Sequence, residues 1–200
     1  MLIHGLIAHS RVNGPGMRAV VYFQGCNLGC DGCWNPATHA FTGLSYEAQD
    51  VAEQVAAAHQ TQLIEGVTFS GGEPMQQARD LLDLISLLER ARPEISIGMY
   101  SGYTERELDR GRFWTRDSIG LEARQAVWEN IKQQLDFAVL GRFVAARESQ
   151  RPMRTSANQV LRLFSDRYRE EHFKPLEFEV HIESAGLVQI TGFPLTGLSI

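Results

Sequence analysis

Three cysteines, and only three, occur in this 200-residue chain, and they stand together as Cys26-Asn-Leu-Gly-Cys30-Asp-Gly-Cys33. The spacing puts three thiols on one short loop. The odd count and the size of the chain argue against a disulfide framework, and free thiols suit a reducing cytoplasm. Thiolates are soft ligands that favour iron–sulfur clusters, zinc and copper(I). A structural zinc site closes its tetrahedron, so zinc here would need His9 or His39 as a fourth ligand. A 4Fe–4S cluster on three thiolates instead leaves one iron without a protein ligand, and an open metal position is where a substrate can bind. Gly25, Gly29 and Gly32 suit a loop wrapped closely around such a cluster.

The flanking periodicity predicts the elements that carry that loop. Residues 2–8 and 18–24 read as strands, the second being Arg18-Ala-Val-Val-Tyr-Phe-Gln24. Ser45 is placed to cap a helix over about 46–59, with Ala48, Val51, Ala52 and Val55 on one face. Gly66–Ser70 reads as a short buried strand ended by Gly71-Gly72. A helix over 75–91 comes after it, with Leu81, Leu84, Ile85 and Leu88 at helical spacing, then a strand over 94–100. Next come a helix over roughly 120–134, carrying Val127, Trp128 and Ile131, and a strand over 135–140.

Strands alternating with helices predict a mainly parallel sheet with right-handed crossovers. About five or six strands are available, too few for an eight-unit barrel. The expected fold is therefore α/β, an open partial (βα) barrel. In such folds the chemistry gathers at the carboxyl ends of the strands. The cysteine loop, Gly71-Gly72-Glu73, Ser101 and Gly141 each come directly after a strand, so they should meet on one rim. The tail differs. Leu176–Glu183 and Leu187–Thr191 alternate with period two across Ser184-Ala185-Gly186, which predicts a β-hairpin. We expect one domain, with the partial barrel over 1–170 and a hairpin extension over 171–200.

A net charge of −5 and a pI near 5.7 argue against a broad nucleic-acid footprint. No apolar run approaches the ~20 residues of a membrane helix. The opening Met1-Leu-Ile-His-Gly-Leu lacks the basic stretch of a secretory signal. A cytoplasmic protein without a membrane partner is expected.

The wider motifs point to a family. Gly14-Pro15-Gly16-Met17-Arg18 precedes the cysteines, Trp34-Asn35-Pro36 comes just after them, and Phe69-Ser70-Gly71-Gly72-Glu73-Pro74 stands about 40 residues later. A CxxxCxxC loop with a GGE tripeptide beyond it resembles the radical S-adenosylmethionine superfamily. The GPGxR segment is similar to that of the glycyl-radical activating enzymes. Ser101-Gly102-Tyr103-Thr104, Gly141-Arg142-Phe143 and Ser156-Ala-Asn158-Gln159 most resemble the anaerobic ribonucleotide reductase activating proteins.

The resemblance runs from about residue 11 to 165. It implies one 4Fe–4S cluster on Cys26, Cys30 and Cys33, with S-adenosylmethionine as cofactor. It implies cofactor contacts from Gly71, Gly72, Glu73 and Pro74 to the methionine amine, and from Trp34 and Asn35 near the adenine. Ser101 and Asp136 are candidates for the ribose or the methionine carboxylate, with Asn158 and Gln159 behind them. It further implies reductive cleavage to a 5′-deoxyadenosyl radical, a glycyl-radical enzyme as partner, and a flavodoxin or ferredoxin as electron donor.

Other features leave the substrate open. Arg18, Arg142, Arg151 and Arg154 are candidates for a carboxylate, because a guanidinium offers a two-pronged grip. Arg112-Phe113-Trp114 lies in a polar stretch over 105–120 and suits either an interface or a satellite core. Leu140 stands where the resembled activators tend to carry an acidic residue, and the hairpin tail is additional. A radical S-adenosylmethionine enzyme acting on another peptide or a small molecule, such as a deazapurine precursor, is the first alternative. A non-enzymatic iron–sulfur carrier or sensor is the second, and it would have no use for Gly71–Pro74.

Overall fold

The computed structural model describes residues 1–62, 64–175, 177–182 and 188–193. Six strands form one sheet in chain order: β1 (Ile3–Ser10), β2 (Arg18–Phe23), β3 (Gly66–Gly71), β4 (Ser96–Ser101), β5 (Phe137–Leu140) and β6 (Val160–Leu163). The pairings β2–β3, β3–β4 and β4–β5 are parallel, while the edges β1 and β6 run antiparallel to their neighbours. The expected open, mainly parallel α/β sheet is what forms.

The parallel core arises from sequence. In β2 every residue but Tyr22 is buried, and all four residues of β5 are buried. Strands covered on both faces read as continuous apolar runs. Helix α1 (Ala48–Gln62) presents Val51, Ala52 and Val55 to the core, and α2 (Ala78–Ala91) presents Leu81, Leu84, Ile85 and Leu88. The short α3 (Glu105–Asp109) opens on a capping box between Thr104 and Glu107, and α4 (Leu121–Gln134) buries Trp128 and Ile131.

Several boundaries differ from expectation. The first helix starts at Ala48, and Ser45 does not cap it. Ser45 pairs instead with Leu2 as an isolated bridge, which holds the chain in an extended path for two more residues. The second helix begins with a buried 3₁₀ turn, Pro74–Gln77, because the Glu73 side chain accepts Met75 N–H and fixes that turn first. Strand β6 and helix α3 were absent from the expected elements. Both are short, and only Leu161 of β6 and Leu108 of α3 are buried.

The tail forms β7 (Phe178–Ile182) antiparallel to β8 (Val188–Gly192). The expected turn, Ser184-Ala185-Gly186, lies outside the described residues. The facing pairs put Phe178, Val180, Ile182 and Val188 on one side and Glu179, His181 and Thr191 on the other. The polar side is the one turned to the sheet: Glu179 accepts Arg11 N–H, and Thr191 accepts the Asn13 amide at 2.7 Å.

Arg18 explains how the lower end of the sheet is closed. Its guanidinium is fully buried. It donates to Thr68 Oγ1 (2.8 Å), Val67 O (2.8 Å), Ser96 O (3.0 Å) and Pro15 O (3.2 Å), and lies 5.0 Å from the Phe137 ring centroid. Burial lowers its pKa, while Tyr168 and Glu65 pull it back up. The GPGxR segment therefore folds as a lid over a buried cation, at the opposite end of β2 from the cysteine loop.

Candidate functional site

The cysteine loop leaves the end of β2 and is strapped from both sides. Gly25 N–H donates to Thr38 O (2.7 Å) and Cys26 N–H to His39 O (3.0 Å). On the other side, Asn27 N–H donates to Gln76 Oε1 (3.1 Å) in the 3₁₀ turn after Glu73. All three cysteines are free thiols of intermediate burial. Burial pushes the Cys26 thiol up to about 12, with the Glu73 carboxylate and the other two sulfurs adding to the effect, and burial also raises Cys30. Such thiols give up their protons when a cationic cluster compensates the charge.

The loop forms one wall of a cavity of about 260 Å³. Of the residues expected at the site, Cys26, Cys30, Cys33, Trp34, Asn35, Gly71, Gly72, Glu73 and Ser101 all line it, although they come from three strand ends. Gln159 lines it too; its Oε1 accepts the N–H and hydroxyl of Thr155 and the N–H of Ser156. Gly72 is fixed by close approach, since a Cβ there would sit 2.4 Å from Gly25 O. Asn35 reaches back to Gly71 O at 3.5 Å. Trp34 is 36% exposed and packs against Phe143 and Phe193 at 5.8 and 6.1 Å between ring centroids.

Glu73 is the most constrained group in the cavity. It is 1% exposed. Its carboxylate accepts Ser101 Oγ–H (2.8 Å), Gly102 N–H (2.6 Å) and Met75 N–H (3.0 Å). Burial nevertheless pushes it up to about 7, against those three donors and the Arg142 charge.

Asp136 is a correction. It stands before β5, at the amino end of a parallel strand, and so on the opposite rim from the cysteines. There it accepts Ile97 N–H (3.0 Å) and the Ser165 hydroxyl, and it does not line the cavity. Pro74 is buried as the first residue of its 3₁₀ turn, beneath the cavity wall rather than on it. Asn158 donates to Arg142 O at 2.8 Å and stands behind the wall.

The arginines are placed elsewhere as well. Arg18 is a core residue, and Arg142 is committed to Glu107 at 2.9 and 3.0 Å above the Tyr103 ring. Arg151 and Arg154 do not line the cavity. His9 packs edge-on against His181, and His39 meets the cysteine loop through its backbone carbonyl. Among the described residues no three His, Cys, Asp or Glu side chains are grouped as a single metal ion requires. The thiolates of a four-iron cluster each bind a different iron, so three free cysteines along one cavity wall fit the cluster better than zinc.

Sequence reasoning missed Asn13, Tyr22, Tyr100, Phe143, Thr155 and the hairpin residues Ile190–Phe193 as cavity lining. Tyr22 and Tyr100 sit next to the carboxyl ends of their strands, a signal that was legible. The hairpin residues had none, because their distance from the cysteines is set by tertiary packing.

Comparison with known proteins identifies the family. Residues 12–162 match the family described as "4Fe-4S single cluster domain". The chain belongs to the radical S-adenosylmethionine superfamily. Within it, the chain is 31% identical over 162 residues to the anaerobic ribonucleoside-triphosphate reductase-activating protein of Vibrio cholerae, covering 77% of this chain and 92% of that one. It is 31% identical over 94 residues to the protein of that name from Enterobacteria phage T4, covering 46% and 60%. It is 34% identical over 108 residues to the pyruvate formate-lyase-activating enzyme of Listeria monocytogenes, covering 52% of this chain but only 44% of that one. Overlap with the solved structure of QueE from Escherichia coli is limited, at TM-score 0.35, 22% identity and 52% of each chain.

Membership assigns the cofactors. A radical S-adenosylmethionine protein with three free cysteines on one cavity wall holds a single 4Fe–4S cluster and uses S-adenosylmethionine. Among the described residues no helix is long and apolar enough to cross a membrane.

Proposed function

We propose that this protein is a glycyl-radical activating enzyme, in which Cys26, Cys30 and Cys33 hold the cluster and the opposite wall of the cavity holds S-adenosylmethionine. The bound pair supplies one-electron cleavage of the S–C5′ bond, giving methionine and a 5′-deoxyadenosyl radical that takes a hydrogen atom from a glycine of a partner enzyme. The observation that carries this reading is the meeting of the cysteine loop with Gly71–Glu73 and Ser101 on one cavity, in a chain related to two kinds of activating enzyme. Gly71 and Gly72 clear space and present carbonyls to the methionine ammonium. Glu73, fixed by three donors, offers a carboxyl group beside it, and a bound ammonium would favour its ionised form. Trp34 offers a ring to the adenine, and Asn35 braces the Gly71 carbonyl. Trp34, Phe143 and Phe193 form an apolar rim that helps keep water from the reacting atoms. The test is electron paramagnetic resonance on reduced protein, S-adenosylmethionine and a candidate glycyl-radical enzyme. A stable glycyl doublet on the partner is the expected result.

A second reading is a radical S-adenosylmethionine enzyme that modifies another peptide or a small molecule. The hairpin favours it, because Ile190, Thr191, Gly192 and Phe193 wall the cavity on one side. Product formed from a small molecule, with no protein radical on any candidate partner, would move the assignment there.

A further inference from the structure

The 105–120 stretch builds an outward ridge beside the cysteine loop, on a side the cavity does not use. From Gly111 to Arg116 burial alternates: Gly111, Phe113 and Thr115 are buried, while Arg112, Trp114 and Arg116 are exposed. Trp114 is 42% exposed and packs against Phe41 at 5.1 Å between ring centroids. Phe41 lies directly over Gly25, where an added Cβ would meet its ring at 2.4 Å. A second route runs through hydrogen bonds. Trp114 N–H donates to the Tyr103 hydroxyl (3.1 Å), which also accepts Gln76 Nε2 (2.8 Å), and Gln76 Oε1 accepts Asn27 N–H (3.1 Å). The ridge is thus joined to both residues that flank Cys26. Neither Phe41 nor Trp114 lines the cavity.

The charge on this ridge has a clear sign. The acidic side chains of the stretch itself are engaged, Glu105 with Arg162, Glu107 with Arg142, Asp109 with Lys132 and Asp117 with Arg79, and Arg116 pairs with Asp80. Arg106, Arg110 and Arg112 are exposed, and among the described residues none of them is in an ion pair. Leu44, 72% exposed, lies three residues beyond Phe41. An exposed tryptophan in a stretch that also carries three exposed, unpaired arginines complements an acidic surface.

We infer that this ridge docks an acidic one-electron donor protein, with the exposed Trp114 joined to the cluster loop through Phe41. The inference rests on the reading that a cluster on Cys26, Cys30 and Cys33 is reduced in each turnover. The transfer is balanced: the donor loses one electron, the cluster gains it, and no proton or group moves. The substrate side is kept separate, since neither Phe41 nor Trp114 lines the cavity.

The test uses reconstituted protein and a flavodoxin as the acidic donor. Binding of oxidised flavodoxin is measured by titration calorimetry, and cluster reduction by its hydroquinone is tracked by stopped flow, with dithionite as the small-molecule control. At low ionic strength the double variant Arg110→Glu/Arg112→Glu should bind flavodoxin about tenfold or more weakly, and be reduced by it more slowly by a similar factor. The difference should close near ~1 M salt, where screening acts within about 3 Å. Trp114→Ala should slow reduction by flavodoxin at every salt concentration. Reduction by dithionite should be unchanged in both variants.

Unchanged flavodoxin binding in the double variant would overturn the proposal. So would an equal loss of reduction by dithionite, which would make the ridge a support for the cluster loop. A loss confined to radical transfer onto a partner enzyme would reassign the ridge to that partner, also against the proposal. Wild-type protein that holds no reducible four-iron cluster would instead count against the function proposed above, so the two failures are distinguishable.

Discussion

Glu73 and Ser101 lock the ends of β3 and β4 together: the Ser101 hydroxyl donates to Glu73 Oε1 at 2.8 Å, and Gly102 N–H donates to Oε2 at 2.6 Å. One buried carboxylate therefore sets the shape of the rim as well as its charge. Glu73→Ala would leave the buried Met75 N–H without an acceptor, at roughly 1–3 kcal/mol, and would free the half-buried Gly102 N–H as well. The expected outcome is a protein that still holds its iron but binds S-adenosylmethionine at least tenfold more weakly by equilibrium dialysis. Unchanged affinity would remove Gly71–Glu73 from the cofactor site.

The same carboxylate makes stability depend on pH. Burial raises it from its ordinary 4.5 to about 7. Between those values the unfolded chain has released a proton that the folded chain keeps, so stability is lost as pH rises through the window. At 1.36 kcal/mol per pH unit, the effect is on the order of 3 kcal/mol. Anaerobic urea unfolding at pH 5 and pH 7.5 should show wild type losing more stability across this range than Glu73→Gln. Equal losses in the two proteins would mean that the three donors hold Glu73 ionised throughout.

Cys26, Cys30 and Cys33 account for every thiol in the chain, so one cluster is the most it can carry. Anaerobic reconstitution should give about four iron and four sulfide per chain. Replacing any one cysteine with Ala should cut the iron content sharply and abolish 5′-deoxyadenosine formation. A stoichiometric zinc without iron, or clearly more iron than one cluster holds, would contradict the assignment.

Arg18 is expected to matter for folding and not for the cofactor. Its side chain is spent on Thr68, Val67, Ser96 and Pro15 at the end of the sheet away from the cavity. Arg18→Met should destabilise the protein by roughly 3 kcal/mol, because buried acceptors lose their donors. Affinity for S-adenosylmethionine, measured below the unfolding transition, should stay within about twofold. A selective loss of cofactor affinity with stability intact would restore Arg18 as a carboxylate ligand.

The parallel core and the meeting of the candidate residues on one rim were readable in the sequence for the same physical reason. Buried strands such as Val20-Val21-Tyr22-Phe23 are apolar runs, and the loop leaving the carboxyl end of each parallel run lands on one rim. The rule worked for Glu73 and Ser101, which stand at or just past strand ends. It also condemns Asp136, which precedes a strand and lies at the other end. Arg18 misleads for a different reason: in the sequence its guanidinium looks free to grip a carboxylate, and only tertiary structure shows six acceptor atoms already around it. Strand β6 is four residues long with a single buried side chain, too little pattern to stand out. The hairpin was readable as a hairpin, but its contact with the cavity depends on pairs such as Asn13–Thr191, 178 residues apart.

Thr191 is where the hairpin is pinned. Its hydroxyl meets the Asn13 amide at 2.7 Å and the Tyr22 hydroxyl, and Phe193 two residues on packs against Trp34 and Tyr100. Thr191→Val keeps the shape and removes both hydrogen bonds; the buried Asn13 amide keeps its bond to Ser10 Oγ but loses one acceptor, and the half-buried Tyr22 hydroxyl loses its partner, at roughly 1–3 kcal/mol in all. The pair β7–β8 should therefore loosen while the six-stranded sheet stays folded. Limited proteolysis should cut the variant faster within residues 175–200, and its Trp fluorescence should shift to longer wavelength as Trp34 gains water. If the hairpin helps exclude water from the reacting atoms, the variant should also make more 5′-deoxyadenosine in the absence of any substrate. Unchanged proteolysis and unchanged uncoupled cleavage would show that the hairpin decorates the cavity without closing it.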